Sequence, residues 1–346
     1  MLRNRYLLRL AMIFVVLLLV HTGAQAYQDA SNVGFQKLEI PNGNEPALDL
    51  GVWYPTDAPV ASGGTEPSEQ GIAAPGAAVN GRNLPLVVIS HGGGGSFVSH
   101  YDTAVALARA GFVVAAISHR GDSGADQSQV LKLWRRPAQL QRTITYMLQS
   151  WPEHARLNPQ KIGAFGFSNG GFTVLVVAGG VPDLGKTGAY CHANPTHDLC
   201  QAIKNGGASA ATIFNDVPPH AWIADPRIKA IVVVAPAFGY AFDKAGLENV
   251  RVPVQLWGAA NDQHQPRPWF EDVVRNALPT PPEYHLVPGA GHYDFLPPCS
   301  PHLASIVPSI CVDPTGFDRA AFHQMFNSEV VKFFRAALNG AQDKGD

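Results

Sequence analysis

Apolar runs alternate with amphipathic stretches through most of the chain. Continuous apolar runs rich in β-branched residues predict strands buried on both faces of a sheet. These runs cover residues 84–90, 112–118, 161–167, 228–235, 252–257 and 284–287. Apolar residues at helical spacing predict the helices between them, at 101–110, after Pro137, from about Gly170, at 270–278 and within 317–338. The alternation predicts an α/β fold with a mostly parallel sheet covered by helices on both faces.

Two helices are predicted from stripes of apolar side chains, each expected to face the core. The first stripe consists of Leu140, Ile144, Met147, Leu148 and Trp151. The second consists of Ala320, Phe322, Phe326, Val330, Phe333 and Phe334.

Three segments depart from this rhythm. Residues 35–40 and 48–54 are β-type runs separated by the turn-forming Pro41-Asn42-Gly43-Asn44, which predicts an N-terminal hairpin. Residues 55–82 are rich in Pro, Gly, Ala and Ser and are interpreted as a surface loop. Residues 180–226 are interrupted by Pro, Gly and Asn, and we interpret them as a lid-like insertion.

The N-terminus has the pattern of a secretory signal peptide at residues 1–26. Three arginines flank an apolar run over 10–20, and Ala24-Gln25-Ala26 follows as a cleavage site. The run is shorter than the roughly 20 residues that span a bilayer, so no membrane anchor is expected after cleavage. We therefore expect a periplasmic or secreted protein over 27–346. Its 22 basic and 27 acidic residues leave a net charge of −5, which does not favour a nucleic-acid partner.

The chain has four cysteines, and an exported protein is expected to oxidise them to two disulfides. Three connectivities are possible, of which we prefer Cys191 with Cys200 and Cys299 with Cys311. No Cys-x2-Cys spacing occurs, which disfavours a zinc site. The glycine-rich stretches also lack the Lys-Ser/Thr ending of a P-loop and the spaced acid of a dinucleotide site. We expect neither a cofactor nor a metal.

The stretch Gly166-Phe167-Ser168-Asn169-Gly170 lies between a predicted strand and a predicted helix. Glycines on either side of a serine let strand and helix approach closely, while the serine adopts a strained turn conformation that exposes its hydroxyl. The stretch is therefore interpreted as a nucleophile elbow. An ordinary glycine-rich turn is the alternative.

Serine hydrolysis needs a base and a carboxylate that orients the base. Ser168, Asp262 and His292 occur in that chain order, each just after a different predicted strand. Because parallel strands end at one edge of the sheet, we expect these residues to meet there. Asp243, which follows the preceding strand, is the rival acid. Asp294 is close to His292 in sequence and is disfavoured.

A second glycine-rich stretch, Gly92 to Gly95, follows the strand at 84–90. Glycines allow a backbone to lie against a bound acyl group and to direct N–H groups at it. His91 is interpreted as bracing this loop. His119 and Asp122 are interpreted as members of a polar loop, in preference to metal or acid roles.

These motifs resemble those of the α/β-hydrolases, most closely the branch similar to dienelactone hydrolase and platelet-activating-factor acetylhydrolase. The resemblance rests on Ser90-His91-Gly92-Gly93 and on the segments 166–170, 258–262 and 289–292, and it extends over about 45–340. It implies a single α/β-hydrolase domain over 27–346. Dienelactone hydrolase has a cysteine nucleophile where this chain has Ser168, so a dienelactone substrate is not implied.

The resemblance also implies roles for individual residues. Ser168 attacks a carbonyl carbon, His292 transfers the proton, and Asp262 orients His292. The backbone N–H groups of Asn169 and of Gly93, or otherwise Gly92, form the oxyanion hole.

Three functional hypotheses follow. The first is an exported esterase that acts on a small-molecule or lipid-like ester with a short acyl chain or a lactone-like ring. The second is an amidase or peptidase with the same triad, because the same machinery serves both bonds. The third is a non-catalytic binding protein on a hydrolase scaffold.

Overall fold

The apolar runs predicted as strands pair side by side in one sheet. The computed structural model describes residues 32–61, 71–73, 75–124 and 126–339, and the predicted signal peptide lies outside them. Within these residues the sheet has eight strands in the order β1-β2-β4-β3-β5-β6-β7-β8. The strands are β1 Asn32–Asn42, β2 Glu45–Thr56, β3 Leu84–Ser90, β4 Val113–Ile117, β5 Leu157–Phe167, β6 Ile228–Val234, β7 Val254–Ala259 and β8 Glu283–Val287.

The first two strands form the predicted hairpin, and β2 continues the sheet by antiparallel pairing with β4. From β4 to β8 every pairing is parallel. The carboxyl ends of β3, β5, β6, β7 and β8 therefore lie along one edge, where ligand sites of open α/β sheets occur.

The helices connect the strands and cover the sheet. They are α1 Tyr101–Arg109, α2 Arg135–Gln149, α3 Asn169–Val177, α4 Thr187–Ala193, α5 Asp198–Asn205, α6 Lys244–Leu247, α7 Glu271–Ala277, α8 Pro301–Ile306 and α9 Arg319–Asn339. Helices α1 and α9 pack on one face of the sheet, and α2 and α3 on the other. The predicted α/β fold with both faces covered is confirmed.

Side chains of β3 show why its sequence is apolar up to the terminal Ser90. Leu86 and Val88 belong to the cluster that contains α2, whereas Val87 and Ile89 belong to the cluster that contains α9. Because successive side chains of a strand point to opposite faces, a strand covered on both faces has no polar side.

Several predicted details differ from the structure. Helix α2 begins at Arg135, before Pro137. A proline is tolerated in the first helical turn because N–H groups there have no acceptor within the helix, so its missing N–H costs no hydrogen bond. In α9, Ala320 is exposed although the predicted stripe included it, while the five phenylalanine and valine residues of that stripe are buried. The short helices α6 and α8 were not predicted, since each is too brief to show a helical period.

The segment 180–226 contains α4 and α5 and is held by a disulfide. Cys191 is bonded to Cys200, and Cys299 to Cys311, which are the two preferred pairs. In the described part of the chain no helix is both long and apolar enough to cross a membrane.

Candidate active site

The turn between β5 and α3 holds Ser168 in a conformation that side chains rarely adopt. Its φ and ψ angles are +54° and −117°. A Cβ atom on Gly166 would collide with the backbone of Gly170, and a Cβ atom on Gly170 would collide with the carbonyl of Ser90 at the end of β3. The two glycines therefore allow β3, β5 and α3 to approach closely enough to maintain the strained turn.

The structure brings the three residues of the predicted triad together. The Oγ of Ser168 lies 3.1 Å from Nε2 of His292, and Nδ1 of His292 lies 2.7 Å from Oδ2 of Asp262. All three are buried. With the carboxylate accepting a hydrogen bond from Nδ1–H, the unprotonated Nε2 accepts one from the serine hydroxyl. This is the arrangement that prepares a serine to lose its proton.

The loop after β7 holds the carboxylate of Asp262 in place. Its Oδ1 accepts hydrogen bonds from the backbone N–H groups of His264 at 2.9 Å and Gln265 at 2.6 Å. Its other oxygen remains directed at His292. The imidazole ring of His292 also packs against the ring of Phe167, with centroids 4.7 Å apart.

The two rival carboxylates have other partners. Asp243 caps α6 through the N–H of Gly246 and pairs with Lys186. Asp294 accepts from the N–H of Gly291 at 2.7 Å and pairs with Arg319. Burial raises the pKa of the Asp294 carboxyl above its usual value.

The glycine-rich loop after β3 lies directly against the elbow. A Cβ atom on Gly92 would be 3.0 Å from the ring of Phe167, and one on Gly93 would be 2.9 Å from the side-chain nitrogen of Asn169. The loop thus packs tightly against the residues on both sides of Ser168. Asn169 is the first residue of α3, where backbone N–H groups have no acceptor within the helix. The two predicted oxyanion donors therefore belong to segments in mutual contact.

Buried polar groups under this loop form a network that sequence reasoning only partly foresaw. Nε2 of His91 accepts a hydrogen bond from the N–H of His119, and Nδ1 of His91 donates to the carbonyl of Gly92. Burial lowers the pKa of both His91 and His119 well below its usual value, which keeps these rings neutral. The interpretation of His91 as a brace of the loop agrees with these bonds.

Arg136 and Gln139 belong to this network and were not predicted from the sequence; Arg136 makes the contacts with the loop. It lies on α2, is 2% exposed, and has its Nε 2.9 Å from Oδ2 of Asp122. Asp122, expected from the sequence to belong to a polar loop, is buried as well. The available signal was the position of Arg136 four residues before Leu140, on the apolar stripe of α2.

A cavity of about 200 Å³ lies beside the elbow. One wall comes from the segment 180–226 and includes His197 and Leu199, and the other walls include Phe238 and Phe270. The side chains that complete its lining are Val130, Leu131, Asn169, Asp198, Ala237, His264 and Gln265. The cavity is mainly apolar and adjoins the residue that follows the nucleophile.

The segment 180–226 is tied to the loop that carries Asp262. Nε2 of His197 donates to the carbonyl of His264 at 3.0 Å, and Nδ1 of His264 lies 3.3 Å from Oδ2 of Asp198. Among the described residues no group of three or more His, Cys, Asp or Glu side chains is arranged to hold a metal ion.

Comparisons with known proteins agree with this architecture. A solved structure titled ferulic acid esterase from Streptomyces cinnamoneus superimposes with a TM-score of 0.60 and 18% sequence identity. The match covers 91% of this chain and 94% of that chain, and at this identity it shows the fold alone. Together with the mostly parallel sheet and the elbow, it shows that the chain has the α/β-hydrolase fold.

Within that class, residues 71–174 match the family described as platelet-activating factor acetylhydrolase, isoform II. The matched stretch is under a third of the chain and contains both the glycine-rich loop and the elbow. A search of curated proteins found no match.

Proposed function

We propose that the protein hydrolyses carboxylic esters through a covalent acyl-enzyme. The observation that carries the proposal is the continuous chain of contacts from Asp262 through His292 to Ser168, at 2.7 and 3.1 Å. Esters, rather than amides, are favoured because the matched family and the superimposed structure are both described by an ester-hydrolysing activity.

In the proposed mechanism, Oγ of Ser168 attacks the carbonyl carbon while Nε2 of His292 takes the hydroxyl proton. The charge that develops on the carbonyl oxygen is stabilised by the N–H groups of Gly93 and Asn169. Collapse of the tetrahedral intermediate breaks the bond to the leaving oxygen, which receives the proton from His292. Water, deprotonated by the same ring, then attacks the acyl-enzyme and releases the acid and the serine.

The cavity beside Asn169 supports a substrate with a short acyl group. Its volume of about 200 Å³ accommodates a few carbon atoms or one ring, and its walls are mostly apolar. We further propose that the enzyme acts outside the cytoplasm. Two disulfides are compatible with an oxidising compartment.

The test compares the wild type with Ser168→Ala on chromogenic esters of graded acyl length. We expect the substitution to reduce kcat by about 10⁴-fold or more, because the covalent step is lost, with an unchanged circular dichroism spectrum. Activity should fall as the acyl chain outgrows the cavity. Undiminished turnover by Ser168→Ala would overturn the proposed mechanism. Matched anilides serve as the control for bond type, and faster cleavage of the anilide would indicate an amidase.

A further inference from the structure

An ion pair between Arg136 and Asp122 is buried beneath the glycine-rich loop. The two side chains are 2% and 4% exposed, and Nε of Arg136 lies 2.9 Å from Oδ2 of Asp122. Removing two charges from water costs free energy that their attraction often fails to recover. A pair buried this completely therefore adds little stability by itself, and its other contacts are the informative ones.

Arg136 holds two successive carbonyl groups of the loop. Its Nη1 donates to the carbonyl of His91 at 2.9 Å, and its Nη2 donates to the carbonyl of Gly92 at 3.2 Å. The carbonyl of Gly92 and the N–H of Gly93 belong to one planar trans peptide unit, in which they point in opposite directions. By holding that carbonyl, the guanidinium determines where the N–H of Gly93 points.

Asp122 holds the loop from its other side. Its Oδ1 accepts from the N–H of Gly94 at 2.8 Å, and its Oδ2 accepts from the side-chain amide of Asn169 at 3.3 Å. Gly93, which lies between the two held positions, is therefore constrained from both neighbours. The same carboxylate also links the loop to the first residue of α3.

The second oxyanion donor, the N–H of Asn169, is also oriented through the carbonyl of its own peptide unit. In this case backbone N–H groups hold the carbonyl, and no charged side chain is involved. The carbonyl of Ser168 accepts from the N–H of Phe172 at 3.1 Å and of Ala237 at 3.0 Å. The N–H of Asn169, in the same peptide unit, points the opposite way. Helix α3 and the loop after β6 thus fix one donor, whereas the loop donor depends on Arg136 and Asp122.

We propose that the buried pair Arg136–Asp122 is the positioning device of the oxyanion hole. This inference rests on the proposed function only in that both require a reactive Ser168. Neither side chain contacts the reacting atoms, so both are positioning residues. The guanidinium reaches the two carbonyls and Asp122 from three different nitrogens held in one plane, whereas an ammonium group has all its donors on a single nitrogen.

The experiment measures how fast a fluorophosphonate probe labels Ser168, which needs the oxyanion hole but no ester substrate. In Asp122→Asn and in Arg136→Lys we expect the second-order labelling rate to fall by about 10² to 10³-fold, the usual effect of losing one oxyanion donor. On the preferred ester, kcat should fall by the same factor while KM changes little. The inhibition constant of a trifluoromethyl ketone, which forms a tetrahedral oxyanion, should rise in parallel.

A matched control separates positioning from general stability. Asp225 forms an ion pair with Arg227 at 2.6 Å in another part of the fold. Asp225→Asn should lower the unfolding temperature but leave labelling at the wild-type rate. If a single variant does not fold, the double variant Asp122→Asn with Arg136→Gln removes both charges, and we expect it to fold and label slowly.

Three results from the variants would overturn the proposal. The first is wild-type labelling by a folded variant. The second is an equal loss of labelling in Asp225→Asn. The third is a displaced pH profile of kcat/KM in Asp122→Asn, which would place the fault in His292 instead. A wild type that does not label at Ser168 also contradicts it, whereas a wild type that labels but cleaves no ester contradicts only the proposed function.

Discussion

Replacing Asp262 by asparagine tests the triad most directly, because the structure determines how the amide must lie. The Oδ1 position receives two backbone N–H groups, from His264 and Gln265. An amide nitrogen placed there would face two donors, so the asparagine oxygen takes that position and its NH2 group faces His292. The Nδ1 atom of His292 must then accept a hydrogen bond, which leaves the ring proton on Nε2.

A protonated Nε2 cannot take the proton of Ser168. We therefore expect kcat of Asp262→Asn to fall by about 10⁴-fold at neutral pH, the effect of the wrong tautomer in a serine triad. This corresponds to about 5.4 kcal/mol in the activation barrier at 1.36 kcal/mol for each factor of ten. Because both backbone hydrogen bonds at Oδ1 are kept, the free energy of unfolding should change by less than about 1 kcal/mol.

The assay is steady-state hydrolysis of the preferred chromogenic ester, with denaturant unfolding of each variant. Asp243→Asn is the matched control, because Asp243 was the rival acid and instead caps α6 and pairs with Lys186. It should keep the wild-type kcat. The reasoning would be refuted if Asp262→Asn stayed within tenfold of the wild type, or if Asp243→Asn lost as much activity.

Three further predictions concern stability and pH. Gly170→Ala should lower the free energy of unfolding, measured by denaturant titration, by about 4 kcal/mol or more, because the new Cβ collides with the carbonyl at the end of β3. The control Gly207→Ala, at an open position with φ of +72°, should lower it by only about 1 to 2 kcal/mol. Replacing Cys191 and Cys200 together by alanine should lower the free energy of unfolding by about 2 to 3 kcal/mol, because the disulfide is lost. It should also raise KM, because the loop that the disulfide closes forms a wall of the cavity. An unchanged KM would show that this wall does not contact substrate. Burial lowers the pKa of His100 to about 4, so the unfolded state binds a proton that the native state does not between pH 6.5 and 4, and stability falls as the pH falls. His100→Phe should remove about 1.4 kcal/mol per pH unit from that slope in unfolding measured across this range, and parallel slopes in both proteins would contradict the assignment.

Much of the sheet could be predicted because burial on both faces leaves a local signature. Strand β3 is predicted at 84–90 and is found there, because residues 84–89 are apolar and the one polar residue, Ser90, comes at the strand end, where its hydroxyl is hydrogen-bonded to His119. The elbow was also visible locally, because the required glycines lie within two residues of Ser168. The meeting of Ser168 with Asp262 and His292 was inferred from topology, as each follows a strand whose carboxyl end lies at the same edge.

Other features depend on contacts between distant segments, and a local pattern does not specify their partners. The spacing of Arg136 to Leu140 places it on the buried stripe of α2, but only the packed structure places its guanidinium under the carbonyls of His91 and Gly92. Ala320 has an apolar side chain at a suitable spacing but is exposed, because the apolar side chains of α9 that pack in the core begin at Phe322. An alanine buries too little surface to decide which way a helix end turns.

The two donors of the proposed oxyanion hole show how local sequence and distant contacts combine. The N–H of Asn169 is oriented by hydrogen bonds of α3 and by Ala237, so any chain that forms the elbow obtains this donor from the fold itself. The N–H of Gly93 belongs to a loop of consecutive glycines, whose conformational freedom would let the donor turn away. Such a loop needs an external restraint. Arg136, on α2, and Asp122, in the loop after β4, supply it, and both are far from Gly93 in the sequence. Loss of the restraint should therefore affect the loop donor and leave the elbow donor in place, so that residual activity in the Arg136 and Asp122 variants measures what one donor alone achieves.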